Sequence, residues 1–485
     1  MRRRAGAVLA PVVLLALLLW PTPGLSLPAH RLAAVMATVV VLWISEALPM
    51  PVTALLGVSA CVVLRVAPAR EAFAPFADPL MFLFIGSFIL ARAIFLHHLD
   101  RRLAFGVLSL RWVGGRPSRI LFAFGAVTAF ISAWISNTAT TAMMFAIGMS
   151  ILGFLYQHEK EGGPHISRQY ATALMLMTSF AASIGGMATP IGTPPNLIGL
   201  GFIRRILGVE FPFFKWVLIG GPAVIILFAW TFFFFNRLAP AGVREIPGSA
   251  AMLERERSRL GAWSTGERST AIAFLVTVAL WVIPGMVALF AGDQSPTYQM
   301  LNQRIPEGVA ALIGAGLLFV LPGKDGARAI DWQEASKIDW GVVLLYGGGF
   351  ALGVLSFQTG LAEAVGRGLT ALLPIQAGLG LLFASTLVAM LLSETTSNTA
   401  SANMIVPVAI AIAQSLGADP LEPALGATMG ASLGFMLPVS TPCNAIVYGS
   451  GYVPLRSMMK YGLLLDVVGV VVITALIRIL VPLIR

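Results

Sequence analysis

Long apolar runs separated by short polar segments make up most of this 485-residue chain. A run of about 20 apolar residues is long enough to cross the hydrocarbon core of a bilayer as an α-helix. Apolar windows predict spans at residues 7–26, 31–48, 52–67, 78–97, 169–207, 213–236, 269–291, 306–322, 338–359, 421–450 and 457–483. Two further apolar stretches, 117–155 and 375–415, are each interrupted by polar residues. The pattern predicts an all-α, polytopic membrane protein of about eleven transmembrane helices.

The composition and the position of the charges agree with this prediction. The chain is 57% hydrophobic and only 11% charged, whereas soluble domains carry about 25% charged residues. The net charge of +10 comes from Lys and Arg that lie mainly in short loops, which is how membrane proteins set their topology. We therefore predict the lipid bilayer as a partner and no binding of nucleic acid.

The loop charges also predict how the two interrupted stretches lie. We alternated the predicted spans across the membrane from a cytoplasmic N-terminus. The basic segments 98–119, 237–268 and 323–337 then all lie on the cytoplasmic side only under one condition. Each interrupted stretch must enter and leave on the same side, as a re-entrant helical hairpin. Residues 1–30 are predicted to form an N-terminal helix. Their basic start and apolar core also fit a signal peptide, but the many spans that follow favour a retained helix.

Two motifs occur twice, in the same order. Residues 132–140 read SAWISNTAT, and residues 393–401 read SETTSNTAS. Farther along each half, residues 186–201 read GMATPIGTPPNLIGLG, and residues 434–449 read GFMLPVSTPCNAIVYG. An odd number of spans separates the two halves, so we predict that they are inverted repeats, as is typical of secondary transporters.

These repeats define the predicted domain organisation. The first inverted repeat covers residues 31–237, with a hairpin at 117–155 and a broken helix at 169–207. A cytoplasmic linker follows at 238–268. The second repeat covers residues 269–485, with a hairpin at 375–415 and a broken helix at 421–450.

Each repeated motif has a chemical meaning at membrane depth. Proline has no amide hydrogen and clashes with the preceding turn, so TPIGTPPN breaks a helix and frees carbonyl oxygens for a small cation such as sodium. At a hairpin tip, SNT supplies hydroxyls, an amide and the free N–H groups of a helix N-terminus, which attract a carboxylate or a sulfate. A single motif of this kind in a membrane helix more often serves helix–helix packing than ligand binding. The duplication of both favours a joint anion and cation site.

Glu394 has no counterpart in the first repeat, where Ala133 takes its place. An ionisable residue inside a membrane segment is a functional hypothesis by default. Glu394 either takes part in cation or proton coupling, or forms local hydrogen bonds near the hairpin tip. The sequence favours the local role and leaves the coupling role open.

At this point the motifs resemble those of a known family. SNT in two hairpins, TPIGTPPN and LPVSTPCN in two broken helices, and WISEALP at residues 43–49 are similar to the divalent anion/sodium symporters, the INDY-type dicarboxylate carriers. The resemblance covers nearly the whole chain from about residue 30. It implies an eleven-helix protomer with two re-entrant hairpins, a scaffold domain and a mobile transport domain. It also implies a homodimer and an elevator-like movement.

The resemblance also implies site residues, by motif position. The residues implied for sodium are Ser132, Ser136, Asn137 and the backbone of Gly192 at a first site, and Ser393, Thr396, Asn398 and Ser440 at a second. The residues implied for the substrate carboxylates are Asn137, Thr138, Ser397, Asn398 and Thr399, with Thr441 and Pro442 on the far side. Two departures stand out: Cys443, where relatives often have a proline, and Thr396, which lies opposite Ile135 in the first repeat.

The leading functional hypothesis is sodium-coupled uptake of a C4-dicarboxylate, such as succinate, malate or fumarate, across the plasma (inner) membrane. Na⁺ is the predicted coupling ion. A sodium-independent dicarboxylate exchanger and a carrier of citrate or sulfate remain open alternatives. An intramembrane enzyme is disfavoured because no histidine lies in mid-span and no HExxH motif occurs. A channel is disfavoured because inverted repeats around a midplane site fit alternating access better.

Overall fold

The structure is a computed structural model that describes residues 2–292, 294–372 and 376–484. In these ranges the regular structure is helical, with no β-strand and one isolated bridge between Pro322 and Arg328. The α-helices in chain order are α1 Arg2–Leu19, α2 Leu27–Ser45, α3 Met50–Val63, α4 Ala69–Phe73, α5 Pro79–Leu96, α6 Leu99–Leu108, α7 Pro117–Ser132, α8 Asn137–Lys160, α9 Arg168–Gly186, α10 Pro194–Phe202, α11 Phe213–Leu238, α12 Ser249–Arg259, α13 Thr265–Ala291, α14 Pro296–Arg304, α15 Glu307–Leu318, α16 Trp332–Ala335, α17 Trp340–Gln358, α18 Leu361–Leu372, α19 Leu379–Thr395, α20 Asn398–Ser415, α21 Leu421–Gly430, α22 Pro442–Tyr448 and α23 Leu455–Ile484. A π-helical turn, Ile203–Leu207, extends α10, and 3₁₀ turns lie at Ala74–Ala77 and Lys324–Gly326.

Each predicted span overlaps at least one of these helices. In the described part of the chain, seven helices are long and apolar enough to cross a membrane: α2, α5, α8, α11, α13, α17 and α23. Four shorter apolar helices are α3, α7, α15 and α19. The prediction of an all-α polytopic membrane protein is confirmed, while the number of eleven crossings stays a prediction.

The predicted N-terminal helix at residues 1–30 is divided in the structure. Helix α1 ends at Leu19, and α2 begins only at Leu27. Pro21 and Pro23 lie between them, and proline disfavours helical backbone at the residue that precedes it. Helix α1 packs along α2, with Gly6 directly against Ser45.

The first interrupted stretch folds back on itself. Helices α7 and α8 are joined by residues 133–136, and both pack against α9. Just before α7, Gly115 O accepts a hydrogen bond of 2.7 Å from Ile246 N. Toward the end of α8, Phe154 lies against Gly248. The outer ends of both arms therefore meet the same loop, as a re-entrant hairpin requires.

The second interrupted stretch has the same form. Helices α19 and α20 are joined by residues 396–397, and both pack against α21. Leu381 near the start of α19 packs against Ile412 near the end of α20, so the outer ends of these arms also lie together. The predicted start of this hairpin at residue 375 lies outside the described residues.

Both broken helices are held by one asparagine side chain each. Helix α9 ends at Gly186 and α10 begins at Pro194, and Asn196 Nδ2 donates to Gly186 O at 3.0 Å and to Thr189 O at 2.8 Å. In the second repeat, Asn444 Nδ2 donates to Gly434 O and to Leu437 O, both at 3.0 Å. The acceptors lie ten and seven residues before the asparagine in both repeats. The asparagine of the TPxN motif therefore supplies donors to carbonyls that the break has removed from the helical ladder.

We predict that Asn196→Ala and Asn444→Ala both destabilise the fold. Each change leaves one carbonyl, Gly186 O or Gly434 O, without its donor, which costs about 1–3 kcal/mol. The second carbonyl, Thr189 O or Leu437 O, loses one donor but keeps a backbone N–H, from Gly192 or Ser440. Asn444→Ala is expected to have the larger effect, because Ser179 Oγ also donates to Asn444 Oδ1, whereas Asn196 Oδ1 has no partner among the described residues. The measurement is the thermal unfolding midpoint of the purified protein in detergent. The exposed Asn236→Ala serves as control, and midpoints equal to that control would contradict the prediction.

Candidate functional site

The two SNT motifs form the tips of the two hairpins, and a helix begins at each. Helix α8 starts at Asn137 and α20 starts at Asn398, so the serine before each asparagine is the N-cap residue. Ser397 Oγ accepts a hydrogen bond of 3.1 Å from Ala400 N, while Ser136 forms no such bond. The first N–H groups of a helix have no partner within the helix and carry a partial positive charge. Each tip can therefore receive a negatively charged group.

At the first tip, the Asn137 side chain joins the hairpin to the broken helix. With its nitrogen turned toward the acceptors, the Asn137 amide donates to Ser132 Oγ at 2.7 Å, to Ala182 O at 3.1 Å and to Gly192 O at 3.2 Å. Gly192 lies so close to Gly186 O that a side chain would not fit. Three of the residues implied for the first sodium ion, Ser132, Asn137 and Gly192, are therefore in contact.

The second tip repeats this arrangement. Ser393 Oγ lies 2.7 Å from Asn398 Oδ1 and 2.9 Å from Ala431 O, and its single hydrogen can be donated to either acceptor. A methyl group added to Gly434 would lie 3.2 Å from Ser393 Oγ and 3.6 Å from Ser440 Cβ. Of the residues implied for the second sodium ion, Ser393, Asn398 and Ser440 thus surround one glycine.

One further side chain hydrogen-bonds each tip to its broken helix. In the first repeat this side chain comes from the broken helix, and in the second it comes from the hairpin. In the first repeat, Thr189 Oγ1 donates to the backbone oxygen of Ala133. The aligned positions in the second repeat are Leu437 and Glu394, and here the Glu394 carboxylate accepts from the backbone N–H of Leu437 at 3.2 Å. The same pair of positions is hydrogen-bonded in both repeats. The side chain that forms the bond belongs to the broken helix in the first repeat and to the hairpin in the second.

Glu394 accepts two more hydrogen bonds, one of 2.7 Å from Met436 N and one from Ser440 O–H. Its side chain is buried and does not line the cavity between the tips. Glu394 therefore forms local hydrogen bonds near the hairpin tip, as the sequence favoured, and its part in coupling stays a prediction. Its carboxylate holds the unwound segment 436–440 against the second tip.

A cavity of about 410 Å³ lies between the two tips. All residues implied for substrate line it: Asn137, Thr138, Ser397, Asn398, Thr399, Thr441 and Pro442. Of those implied for sodium, the ones on its wall are Ser136, Asn137, Gly192, Asn398 and Ser440. Ser132, Ser393 and Thr396 lie behind the wall, and Thr396 Oγ1 donates to Leu392 O at 2.8 Å. The residues implied for substrate thus lie around one cavity. The serine and threonine hydroxyls of Ser132, Ser393 and Thr396 lie behind the cavity wall.

The sequence reasoning missed part of this wall. Thr193 and Pro194 line the cavity as the repeat counterparts of Thr441 and Pro442, and that symmetry was sufficient to find them. The facing wall consists of the last turns of α5, including Phe88, Arg92 and Phe95, and the residues 337–342 that lead into α17. Arg92, an ionisable residue in the apolar run FILARAIFL, was the available signal for this wall.

Two basic side chains on the facing wall share one carboxylate. Glu334 Oε1 lies 2.5 Å from Lys337 Nζ, and Glu334 Oε2 accepts from Arg92 Nε at 3.1 Å. Hydrogen bonds from Lys337, and next from Arg92, hold the pKa of the Glu334 carboxyl below its usual value. Glu334 therefore stays ionised at neutral pH and offsets one of the two positive charges at the cavity. Asp339 also lines this wall and caps α17 through Val342 N.

The sequence comparisons agree on one family. The profile of the sodium:sulfate symporter transmembrane region matches residues 2–484. The chain is 32% identical over 419 residues to the sodium-dependent dicarboxylate transporter SdcS of Staphylococcus saprophyticus, covering 85% of this chain and 78% of that protein. It is 30% identical over 414 residues to SdcS of Staphylococcus aureus, covering 84% and 78%.

Two solved structures share the fold at low sequence identity. The YdaH transporter of Alcanivorax borkumensis has a TM-score of 0.52 and 14% identity, covering 85% of this chain and 87% of that one. MtrF of Neisseria gonorrhoeae, described as illuminating a class of antimetabolite efflux pumps, has a TM-score of 0.55 and 13% identity, with coverages of 96% and 97%. At these identities the likeness concerns the fold alone.

We predict that Glu334→Gln strengthens the interaction with a dianion in the cavity. The change removes the charge that offsets Arg92 and Lys337, so KM for a dicarboxylate is expected to fall about twofold to fivefold at low ionic strength. The effect should shrink when choline chloride is added, because salt screens exposed charges. The measurement is initial uptake into proteoliposomes. Glu363→Gln, which loses an exposed carboxylate that pairs with Arg367 in α18, is the control; an unchanged or higher KM in the Glu334 variant would contradict the prediction.

Proposed function

The chain belongs to the sodium:sulfate symporter family, and on that premise we propose that it takes up C4-dicarboxylates such as succinate, malate and fumarate together with sodium. It is a multi-pass transporter of the plasma membrane and not an enzyme. Its relatives SdcS are named sodium-dependent dicarboxylate transporters. This supports both the substrate class and the coupling ion.

The observation that carries the proposal is that two equivalent hairpin tips meet in one cavity. Each tip offers a helix N-terminus with a serine, an asparagine and a threonine beside it: residues 136–138 at one and residues 397–399 at the other. A dicarboxylate has two equivalent anionic ends. One carboxylate at each tip would use the N–H groups and partial positive charge of both helices.

Sodium fits the groups behind the tips. The candidate ligands are hydroxyl, amide and carbonyl oxygens from Ser132, Asn137 and Gly192 in one repeat and from Ser393, Asn398 and Ser440 in the other. To coordinate an ion, the Asn137 amide would turn its oxygen toward Ser132 and Gly192 in place of its nitrogen. Oxygen ligands without sulfur or imidazole suit a hard cation. Because Asn137 and Asn398 belong to both the anion set and the cation set, a bound sodium ion would orient the amide that meets the substrate. That sharing is the proposed origin of coupling.

For the transport cycle we propose an elevator movement of one domain against another. The hairpins, the broken helices, α11 and α23 would form the moving transport domain, and α1–α5 with α13–α17 the scaffold. The cavity wall that α5 and α17 contribute adjoins the basic segments 98–119 and 323–337, which are predicted to be cytoplasmic. The proposed state is therefore inward-facing.

An ion pair joins the two proposed domains on the opposite side. Arg204, in the turn after α10, places Nη2 2.5 Å and 2.6 Å from the two carboxylate oxygens of Asp78, the N-cap residue of α5. Tyr346 O–H in α17 adds a bond of 3.4 Å to Asp78. In an elevator movement these contacts would have to break as the transport domain moves outward.

We extend the proposal to a homodimer, as the family resemblance implies. Mass measurement in lipid nanodiscs would give a protein mass of about twice 51.4 kDa for a dimer. A single 51.4 kDa chain that is fully active would overturn this part alone.

The central prediction is sodium-driven succinate uptake that depends on both tips. In proteoliposomes, an inward sodium gradient should drive uptake, and replacement of sodium by choline should abolish it. Asn137→Ala and Asn398→Ala should each abolish uptake, because each removes a shared anion and cation ligand. The exposed Asn236→Ala is the matched control.

The outcomes separate the alternatives. Uptake that is unchanged in choline but requires internal dicarboxylate would identify a sodium-independent exchanger. Competition by sulfate or citrate, but not by succinate, would reassign the substrate. Full activity of both tip variants would remove the proposed sites.

A further inference from the structure

One side of the cavity carries a cluster of four uncharged polar side chains, of which the proposed function uses only Thr138. Thr138 and Thr141 come from α8, Ser183 from α9 and Cys443 from α22. The Cys443 thiol lies beside the hydroxyls of the other three residues. Thr138, Ser183 and Cys443 line the cavity, and Thr141 is fully buried next to them. We call these four residues the polar cluster.

The corresponding place in the other repeat is apolar. The hairpins align on Asn137 and Asn398, and the breaks align on Asn196 and Asn444. The aligned pairs are Thr141 with Ala402, Ser183 with Ala431 and Cys443 with Pro195. Helix α22 packs against α8 and α9, and its counterpart α10 packs against α20 and α21 in the same way. The two tips are thus equivalent, but the polar cluster occurs at only one of the two related places.

Two hydroxyls of the polar cluster lack a strong hydrogen-bond partner. Ser183 Oγ and Thr141 Oγ1 have no oxygen or nitrogen partner among the described residues. Their polar neighbour is the Cys443 thiol, and a thiol is a weak donor and a weak acceptor. Because a buried hydroxyl without a good partner is unfavourable, the cluster would gain from a ligand that both donates and accepts a hydrogen bond.

The polar cluster suits a hydroxyl on the carbon chain of the substrate. With one carboxylate at each tip, the carbon atoms between them would pass along the wall that Ser183 and Cys443 help to form. A hydroxyl both donates and accepts. None of the four side chains carries a charge, so an ammonium group placed here would lose its hydration without gaining a counter-charge. Malate has a hydroxyl on carbon 2, whereas succinate has only hydrogen atoms there.

We propose that the polar cluster is a third subsite of the cavity, which binds the hydroxyl of a 2-hydroxy C4-dicarboxylate such as malate. The inference rests on the proposed function, since the two tips must hold the carboxylates. Malate has a single hydroxyl, and the cluster lies on one side of the cavity. The third subsite therefore selects malate over succinate and orients it between the tips.

The test compares the binding of malate and of succinate to the purified protein in sodium chloride, by calorimetry. Wild type should bind malate about threefold to tenfold more tightly, because one added hydrogen bond in a buried site supplies a difference of that size. Ser183→Ala and Cys443→Ala should each bring the ratio of the two dissociation constants close to one, by weakening the binding of malate. The ratio compares two ligands in one variant, so a general loss of stability does not imitate this result.

Two further variants make the result specific. Cys443→Ser keeps a donor and an acceptor, and should retain the preference for malate. Ser432→Ala removes another buried hydroxyl that has no partner among the described residues and lies outside the cavity wall. It should leave the ratio at the wild-type value.

Equal affinity of wild type for malate and succinate would overturn the proposal, and so would a wild-type ratio in both Ser183→Ala and Cys443→Ala. If Ser183→Ala does not fold, Cys443→Ala and Cys443→Ser decide together. A ratio near one in the alanine variant with a wild-type ratio in the serine variant supports the proposal, and equal ratios in the two contradict it. A wild-type protein that binds neither dicarboxylate in sodium chloride would instead contradict the proposed function, and the third subsite with it.

Discussion

An unwound backbone segment inside a membrane must find its hydrogen-bond partners within the protein, because lipid offers none. The two breaks in this chain meet that requirement through one side chain each. Asn196 and Asn444 each donate to the carbonyls seven and ten residues before them. The remaining oxygens of the breaks are then left close to the hairpin tips. These two asparagines therefore stabilise the two breaks that adjoin the proposed ion sites.

Both repeats share the asparagine hydrogen bonds within the break. They differ in the side chain that connects the break to the hairpin tip. Thr189 bonds the backbone of Ala133 in the first repeat, whereas Glu394 bonds the backbone of Leu437 in the second. A carboxylate is the stronger acceptor, but burying it requires several donors, and it has three. This difference gives the two proposed cation sites unequal surroundings in an otherwise symmetric fold.

The sequence was sufficient to predict the all-α membrane fold, the two hairpins and the residues that surround the cavity, because each rests on a local pattern or a repeated motif. The division at Pro21 and Pro23 was missed, since an apolar window extends across a short proline-rich turn. The facing wall of the cavity was also missed. Arg92 and Lys337 lie far apart in sequence and carry no repeated motif, so only packing places them opposite the tips.

The proposed coupling requires that an anion and sodium share Asn137 and Asn398 in one cavity. The most direct measurement is equilibrium binding of succinate to the purified protein by calorimetry, in sodium chloride and in choline chloride of equal ionic strength. We expect saturable binding in sodium and a loss of at least about tenfold in affinity in choline, which corresponds to about 1.4 kcal/mol. Equal affinity for succinate in the two salts would contradict it.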